Sequence, residues 1–284
     1  MDNNRQLQAD LLLLIVALIW GLTFVSVKNA LVDIGPYTFN AIRFGIAFIF
    51  MGLFSGRKLR QINKKSLSAG MTVGMVLFAG YSFQTIGLQY TTASNAGFIT
   101  GLSVVMVPLF ARLLFKRTAN RYAILGAITA AAGLGLLSLS LPLAVNLGDL
   151  LVLFCAASFA LHIVFVGRYS PNHDTMVLVV IQIGTVAILS GLSALVWEGQ
   201  AVHFTANVIW GLIITAIPAT ALAYLIQNWA QKFTTETRTA IILSMEPVFA
   251  ALFALILLHE ALGVKDISGG LLVLAGMLLA ELKT

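Results

Sequence analysis

Apolar residues run along this chain in long blocks separated by short polar turns, and ten such blocks can be drawn. They cover residues 11–32, 37–54, 67–88, 94–115, 121–140, 149–169, 175–196, 207–229, 237–258 and 266–282. About 20 residues of helix cross a bilayer core. Unpaired backbone groups cannot face lipid, so each block predicts a membrane-spanning α-helix. The expected fold class is an all-α integral membrane protein with ten transmembrane helices. The turns leave no stretch of soluble-domain length, and the whole chain reads as spans and connections.

The blocks fall into two sets of five. At an offset of 139 residues, Asp10 to Val27 overlays Asp149 to Val166, with Asp10/Asp149, Leu11/Leu150, Leu12/Leu151, Leu14/Leu153, Ala17/Ala156, Leu22/Leu161, Val25/Val164 and Val27/Val166 identical. The same offset pairs Gly45 with Gly184, Gly52 with Gly191 and Pro108 with Pro247. A duplicated unit with an odd number of spans enters the membrane from opposite sides in its two copies, so residues 1–140 and 141–284 are expected to be inverted five-helix repeats of one transport domain. Inverted repeats are a mark of secondary transporters.

Composition agrees with a membrane protein. Apolar residues make up 59% and charged residues 10% of the chain, against roughly 45–50% and about 25% in soluble domains. The charges that remain are sorted by side. With the N-terminus inside, 14 of the 17 Lys and Arg residues fall in cytoplasmic segments: Arg5, Arg57, Lys58, Arg60, Lys64, Lys65, Arg112, Lys116, Arg117, Arg121, Arg168, Lys232, Arg238 and Lys283. Only Lys28 and Lys265 fall outside, and Arg43 lies within a span. The positive-inside bias therefore predicts cytoplasmic termini in a bacterial-type inner membrane. It also accounts for the pI of about 9.6 without nucleic acid, since these side chains meet anionic lipid headgroups. The first block is too long for a signal peptide and lacks a basic leader and a small-residue cleavage site, so it is expected to remain.

Several chemistries lack their residues. The only cysteine, Cys155, sits inside the sixth block, so no intrachain disulfide or thiolate metal cluster is expected. His162, His173, His203 and His259 form no HExxH pair, and no phosphate-binding GxxxxGK[ST] loop is present. No cofactor, metal or nucleotide-driven step is expected.

The sparse polar residues within the spans carry the functional reading, because an ionisable group in hydrocarbon costs roughly 2.5–3.5 kcal/mol on insertion scales. Lys28 shares a helical face with Trp20 and Thr23 near the outer end of the first span; it can capture an anion or snorkel to the interface. Arg43 lies deeper, where a guanidinium can bind a carboxylate bidentately or tie its span to neighbouring carbonyls. Its equivalent in the second copy is Gln182. Glu246, the one acid read as deep within a span, precedes Pro247, which frees a carbonyl one turn back and can kink the helix. A proton carrier, a cation contact and a structural glutamate are all open there. Gln84, Asn95, His162, Gln227, Asn228 and Gln231 can line a polar route or make interhelical hydrogen bonds. Gly70 and Gly74, Gly126, Ala130 and Gly133, and Gly269, Gly270 and Gly276 permit close helix approach within the bundle or in a homodimer.

Trp20-Gly21-Leu22-Thr23-Phe24 with Lys28, then Arg43-Phe44, resembles the opening motifs of EamA-like proteins of the drug/metabolite transporter superfamily. Glu246-Pro247-Val248-Phe249-Ala250, His259-Glu260, Gly269-Gly270 and Ala275-Gly276 resemble the closing motifs. The order and spacing carry the resemblance over nearly the full length. It departs at Phe159-Ala160, which stand where the first copy has Trp20-Gly21, and at Val107, opposite Glu246. The resemblance implies a central cavity formed by the first, third, fourth, sixth, eighth and ninth spans, and export or facilitated passage of amino acids, other small metabolites or drugs. The expected protein is thus a secondary transporter or facilitator working by alternating access on a small polar substrate. A membrane enzyme and a non-transporting accessory subunit are the alternatives.

Overall fold

A computed structural model describes residues 3–138, 146–199, 202–249 and 263–281. These residues are helical throughout apart from turns, with no strand among them. Seven helical stretches are long and apolar enough to cross a membrane, and two shorter apolar helices, Arg121–Leu136 and Ile267–Leu279, accompany them. The helices are α1 (Asn3–Gly21), α2 (Thr23–Ala30), α3 (Pro36–Ser55), α4 (Lys64–Gly87), α5 (Ala93–Gly101), α6 (Ser103–Phe115), α7 (Arg121–Ser138), α8 (Leu147–Tyr169), α9 (Thr175–Trp197), α10 (Ala206–Ala216), α11 (Ala223–Ala230), α12 (Glu236–Leu243) and α13 (Val264–Glu281). The expected ninth span is described only as far as Phe249; Ala250, His259 and Glu260 lie outside the described residues.

The ends of these helices follow from local chemistry. Asn63 and Asn146 begin α4 and α8 with reciprocal capping boxes to Ser66 and Asp149, and Thr92, Thr205 and Thr235 cap α5, α10 and α12 through their hydroxyls. Pro36 opens α3, where its missing N–H is no loss. Asp174 caps α9 and pairs with Lys58 at 3.2 Å. Burial raises the Asp174 carboxyl, but the bonds from Lys58, Val177 and Met176 outweigh it and leave the pKa lowered. The stabilisation is therefore present above the ordinary carboxylate range and lost as pH falls through the lowered native value.

Three spans are interrupted rather than continuous. α1 gives way to α2 at Leu22, α5 to α6 at Leu102, and α12 ends at Ser244 before residues 246–249 resume as helix. At each break the chain tightens to i→i−3 bonds: Leu22 N–H to the Ile19 carbonyl, Leu102 to Ile99 and Met245 to Ile242. A fourth irregularity lies between α10 and α11, where Ile217–Leu222 forms a π-helix.

The offset between the two halves grows in two steps, by three residues ahead of the third span of each half and by one more in that π segment. The caps Asn63 and Thr205 stand 142 apart, whereas beyond the π segment Tyr81/Tyr224, Gln84/Gln227, Thr91/Thr234 and Thr92/Thr235 are identical pairs 143 apart. A π-bulge inserts one residue. The fixed offset of 139 thus holds for the first two spans of each half and fails through the third.

In packing, α3 lies on α9, α4 on α8 and α9, α7 on α13, α1 on α11 and α12, α2 on α10, and α6 on α8. The glycines of α7 and α13 are consumed in this intramolecular contact. A Cβ on Gly133 would meet the Gly269 carbonyl at 2.6 Å, and one on Gly276 would meet the Gly126 carbonyl at 2.6 Å. Gly70 and Gly74 likewise seat Ile181 and Thr185 of α9. These small residues therefore serve the bundle, and they supply no argument for a homodimer.

Residues 3–10, the 56–63 turn and the α6–α7 and α11–α12 connections share one end of the bundle, called the N-side below; the opposite end is the far side. If the basic bias sets the orientation, a cysteine introduced by Asn207→Cys in a Cys155→Ser background reacts with an impermeant thiol reagent in intact cells. One introduced by Lys65→Cys is then protected. The reverse pattern would invert the assignment.

Candidate functional site

A cavity of about 780 Å³, counting its opening, lies where the helix breaks converge. Its walls come from α1 and α2 (Trp20, Thr23, Phe24, Val27), α3 (Arg43), α4 (Tyr81, Gln84, Leu88), α5 and α6 (Gly97, Thr100, Gly101, Ser103), α8 (Phe159, His162, Ile163), α11 (Tyr224, Gln227), and the α12 break with the turn beyond it (Leu243, Ser244, Glu246, Pro247). Thr23, Ser103 and Ser244 each flank a break. The interruptions thus turn polar groups and loosened backbone toward the cavity, where irregular helix is tolerated.

Arg43 anchors one wall and is almost wholly buried. Its Nε donates to Thr220 Oγ1 at 2.7 Å, and its Nη2 donates to Tyr81 Oη at 3.2 Å and to the Ala219 carbonyl at 3.5 Å. The guanidinium carbon also stands 4.6 Å from the Tyr81 ring centroid. The π segment makes this possible: it frees the Ala219 carbonyl, which also accepts from Trp20 Nε1 at 2.8 Å, and presents Thr220 to Arg43. The expected bidentate edge of the guanidinium is therefore spent on the protein, leaving Nη1 as the arm without a protein acceptor among the described residues. No carboxylate pairs with Arg43 among those residues.

Tyr81 and Tyr224, the 143-spaced pair, meet hydroxyl to hydroxyl at 2.8 Å. They belong to an aromatic cluster with Trp20, 5.6 Å from Tyr224, and Phe159, 5.3 Å from Tyr81. His162 packs edge-on against Tyr224 and pairs its Nε2 with Gln182 Oε1 at 3.0 Å. The position equivalent to Arg43 thus ties a different span, but again with one bond to the cavity wall.

Glu246 faces the cavity from the helix beyond the Ser244 break. Its carboxylate has no hydrogen-bonding or cationic partner among the described residues. Gln84 lines the cavity with its amide similarly unpaired, and Gln227 donates to Gln231 Oε1 at 3.2 Å while its own Oε1 lacks a partner. Seven of the nine residues expected at the site therefore converge: Trp20, Thr23, Arg43, Gln84, His162, Gln227 and Glu246.

Lys28 and Asn95 do not join them. Lys28 points to the far side and donates to the Thr91 carbonyl at 2.5 Å, while Thr91 Oγ1 donates to Asp149. Asn95 lies in the first turn of α5, where its N–H is capped by Thr92. Tyr81, Tyr224 and Thr220 were not singled out from sequence; identity at the 143 offset marks both tyrosines.

Below the cavity, Leu13, Val16, Ala17, Ala111 and Ala240 pack into the apolar core of the N-side half. Beyond that core, Arg238 of α12 pairs with Asp10 of α1 at 2.6 Å, and Glu236 pairs with Arg117 of the α6–α7 connection. Because α1 begins before the expected first block, Asp10 is a second acid buried within a helix, so Glu246 is not the sole one. Breaking a buried pair leaves an uncompensated charge, at a cost of about 3–5 kcal/mol. Arg238→Gln should accordingly lower the thermal midpoint by several degrees, and adding Asp10→Asn should recover much of it. Equal midpoints for the single and double variants would mean that the pair contributes little.

The fold and cavity define a multi-pass helical membrane protein with a central chamber of mixed apolar and polar lining. The chain belongs to the EamA-like transporter family, whose profile matches residues 7–139 and again 146–282. It is 38% identical over 282 residues to an uncharacterized transporter of Archaeoglobus fulgidus, covering 99% of this chain and 88% of that protein. It is 24% identical to the uncharacterized transporter YoaV of Bacillus subtilis, covering 92% of each. The Arabidopsis thaliana chloroplastic WAT1-related protein At3g02690 matches at 24% identity, over 92% of this chain and 66% of its own. A protein of known crystal structure shares the fold with a TM-score of 0.81 at 19% identity, covering 97% of this chain and 96% of that one.

Proposed function

We propose that this protein is a secondary transporter or facilitator that moves a small polar metabolite, such as an amino acid or a drug-like compound, outward across a bacterial-type inner membrane by alternating access. The observation that carries this reading is the joint presence, in one chamber among broken helices, of a guanidinium without a carboxylate partner and a carboxylate without a cation among the described residues. Ionisable groups left unpaired at membrane depth mark substrate or ion routes. The aromatic cluster offers flat apolar surface beside the polar arms.

Two inverted five-helix repeats, with both termini cytoplasmic, complete the reading. In favour of the repeats, the helix contacts map onto themselves when the halves are exchanged: α4 on α8 answers to α10 and α11 on α1 and α2, and α5 on α8 answers to α12 on α1. In favour of alternating access, the chamber reaches Val27, Leu88 and Gly97 toward the far side, whereas the N-side is filled by apolar core and two ion pairs.

Comparison of intracellular and extracellular metabolite pools in deletion and overexpression strains tests this reading. Transport predicts reciprocal, chemically unaltered changes in one small set of polar compounds, reproduced as counterflow in proteoliposomes containing the protein alone. A covalently altered product would point to an enzyme. No counterflow of any compound whose pool changes would point to an accessory subunit.

A further inference from the structure

We infer that the cleft between the N-side halves of α6 and α7 is a binding site for an anionic phospholipid, separate from the central chamber. The cleft encloses about 640 Å³, counting its opening. Val105, Pro108 and Leu109 form its wall on α6, and Ile124 and Ile128 form the facing wall on α7. On each helix these positions recur at i, i+3 or i+4 and present one apolar face. The α6–α7 connection closes the trough at the N-side, where Lys116 turns the chain in the left-handed region at φ 54°.

The closed end is polar and cationic. Arg112, one turn beyond Pro108, and Thr118 line it, and among the described residues neither side chain has a hydrogen-bonding or ionic partner. Arg112 lies three residues before the end of α6, about 5 Å along the axis, at the depth expected of a headgroup. The surrounding sequence supplies no counter-charge: there is no Asp or Glu between Asp33 and Asp149, although Arg112, Lys116, Arg117 and Arg121 cluster there. Glu236 reaches Arg117 from the second half, which leaves Arg112 uncompensated. An apolar trough that opens to lipid and ends on a free guanidinium is complementary to an acyl chain joined to a phosphodiester. Basic residues near the cytoplasmic surface attract anionic lipid in this way. A soluble phosphate would engage the guanidinium and leave the trough unused.

Lipid titration of the purified full-length protein, read by native mass spectrometry, tests the site. Dioleoylphosphatidylglycerol should bind about fivefold more tightly than dioleoylphosphatidylcholine, the ratio expected from one cation at the membrane surface. Arg112→Gln should reduce phosphatidylglycerol to the phosphatidylcholine level, while Arg60→Gln, exposed on the same face outside the cleft, should leave the ratio unchanged. Ala119→Phe keeps the charge but obstructs the trough, and it should weaken both lipids. Soluble glycerol phosphate should not compete. Equal affinity for the two lipids, equal losses from Arg112→Gln and Arg60→Gln, or displacement by glycerol phosphate would each overturn the assignment.

Discussion

Glu246→Gln is expected to reduce substrate accumulation driven by a pH gradient to the level set by passive equilibration, while substrate exchange across proteoliposomes continues. The carboxylate faces the chamber without a partner among the described residues and sits beside Pro247, immediately past the Ser244–Met245 break. A group so placed can exchange a proton with the chamber, and the interrupted helix can carry it between environments. Glutamine preserves size and an acceptor oxygen but cannot titrate, so the substitution separates protonation from packing. If the variant still concentrates substrate with pH as the only driving force, Glu246 is structural and coupling lies elsewhere.

The second large effect is expected at Arg43. Lysine cannot reproduce a planar fork that donates from Nε to Thr220 while Nη2 reaches Tyr81 and the Ala219 carbonyl. Loss of one charged hydrogen bond, at about 1.5–3 kcal/mol, should lower kcat/KM for transport by about 10- to 100-fold in Arg43→Lys. Because the same bonds join α3 to α4 and to the π segment, the thermal midpoint should fall too. Thr220→Val removes only the Nε acceptor and should give a smaller loss in both. Normal kinetics in a well-folded Arg43→Gln protein would remove Arg43 from the substrate route. That glutamine suits the fold is suggested by Gln182, the residue at the equivalent position in the second half.

Much of this architecture was legible in the sequence because lipid imposes a single demand on it. Blocks of apolar residues bounded by Asn, Asp, Thr and Pro mark most helix limits within a few residues. The first helix starts earlier than its apolar block because Asp10, paired with Arg238, is accommodated inside the fold. The chamber's charged residues were legible for the same reason, since Arg43 and Glu246 are conspicuous in hydrocarbon.

For Lys28 the sequence left anion capture and snorkelling both open because periodicity gives a face but not a depth; its long stem reaches the Thr91 carbonyl at the far side. Tyr81 and Tyr224 were missed because comparison at one offset cannot follow four added residues, three of them lying ahead of the third span. The π segment carries the fourth and is also what presents Thr220 and the Ala219 carbonyl to Arg43 and Trp20. The breaks left a fainter trace: Gly21-Leu22-Thr23 and Gly101-Leu102-Ser103 each place glycine, a poor helix former, just before an interruption and a hydroxyl just after it.

The most direct test of alternating access through the chamber is the two-sided reactivity of Ser103→Cys in a Cys155→Ser background, since Ser103 lines the chamber beside the Leu102 break. An impermeant thiol reagent should modify the new thiol from the far side in intact cells and from the N-side in inverted vesicles. Reaction from the N-side should quicken when Asp10→Asn and Arg238→Gln remove the buried ion pair. Modification from one face only, unchanged by removal of that pair, would contradict alternating access.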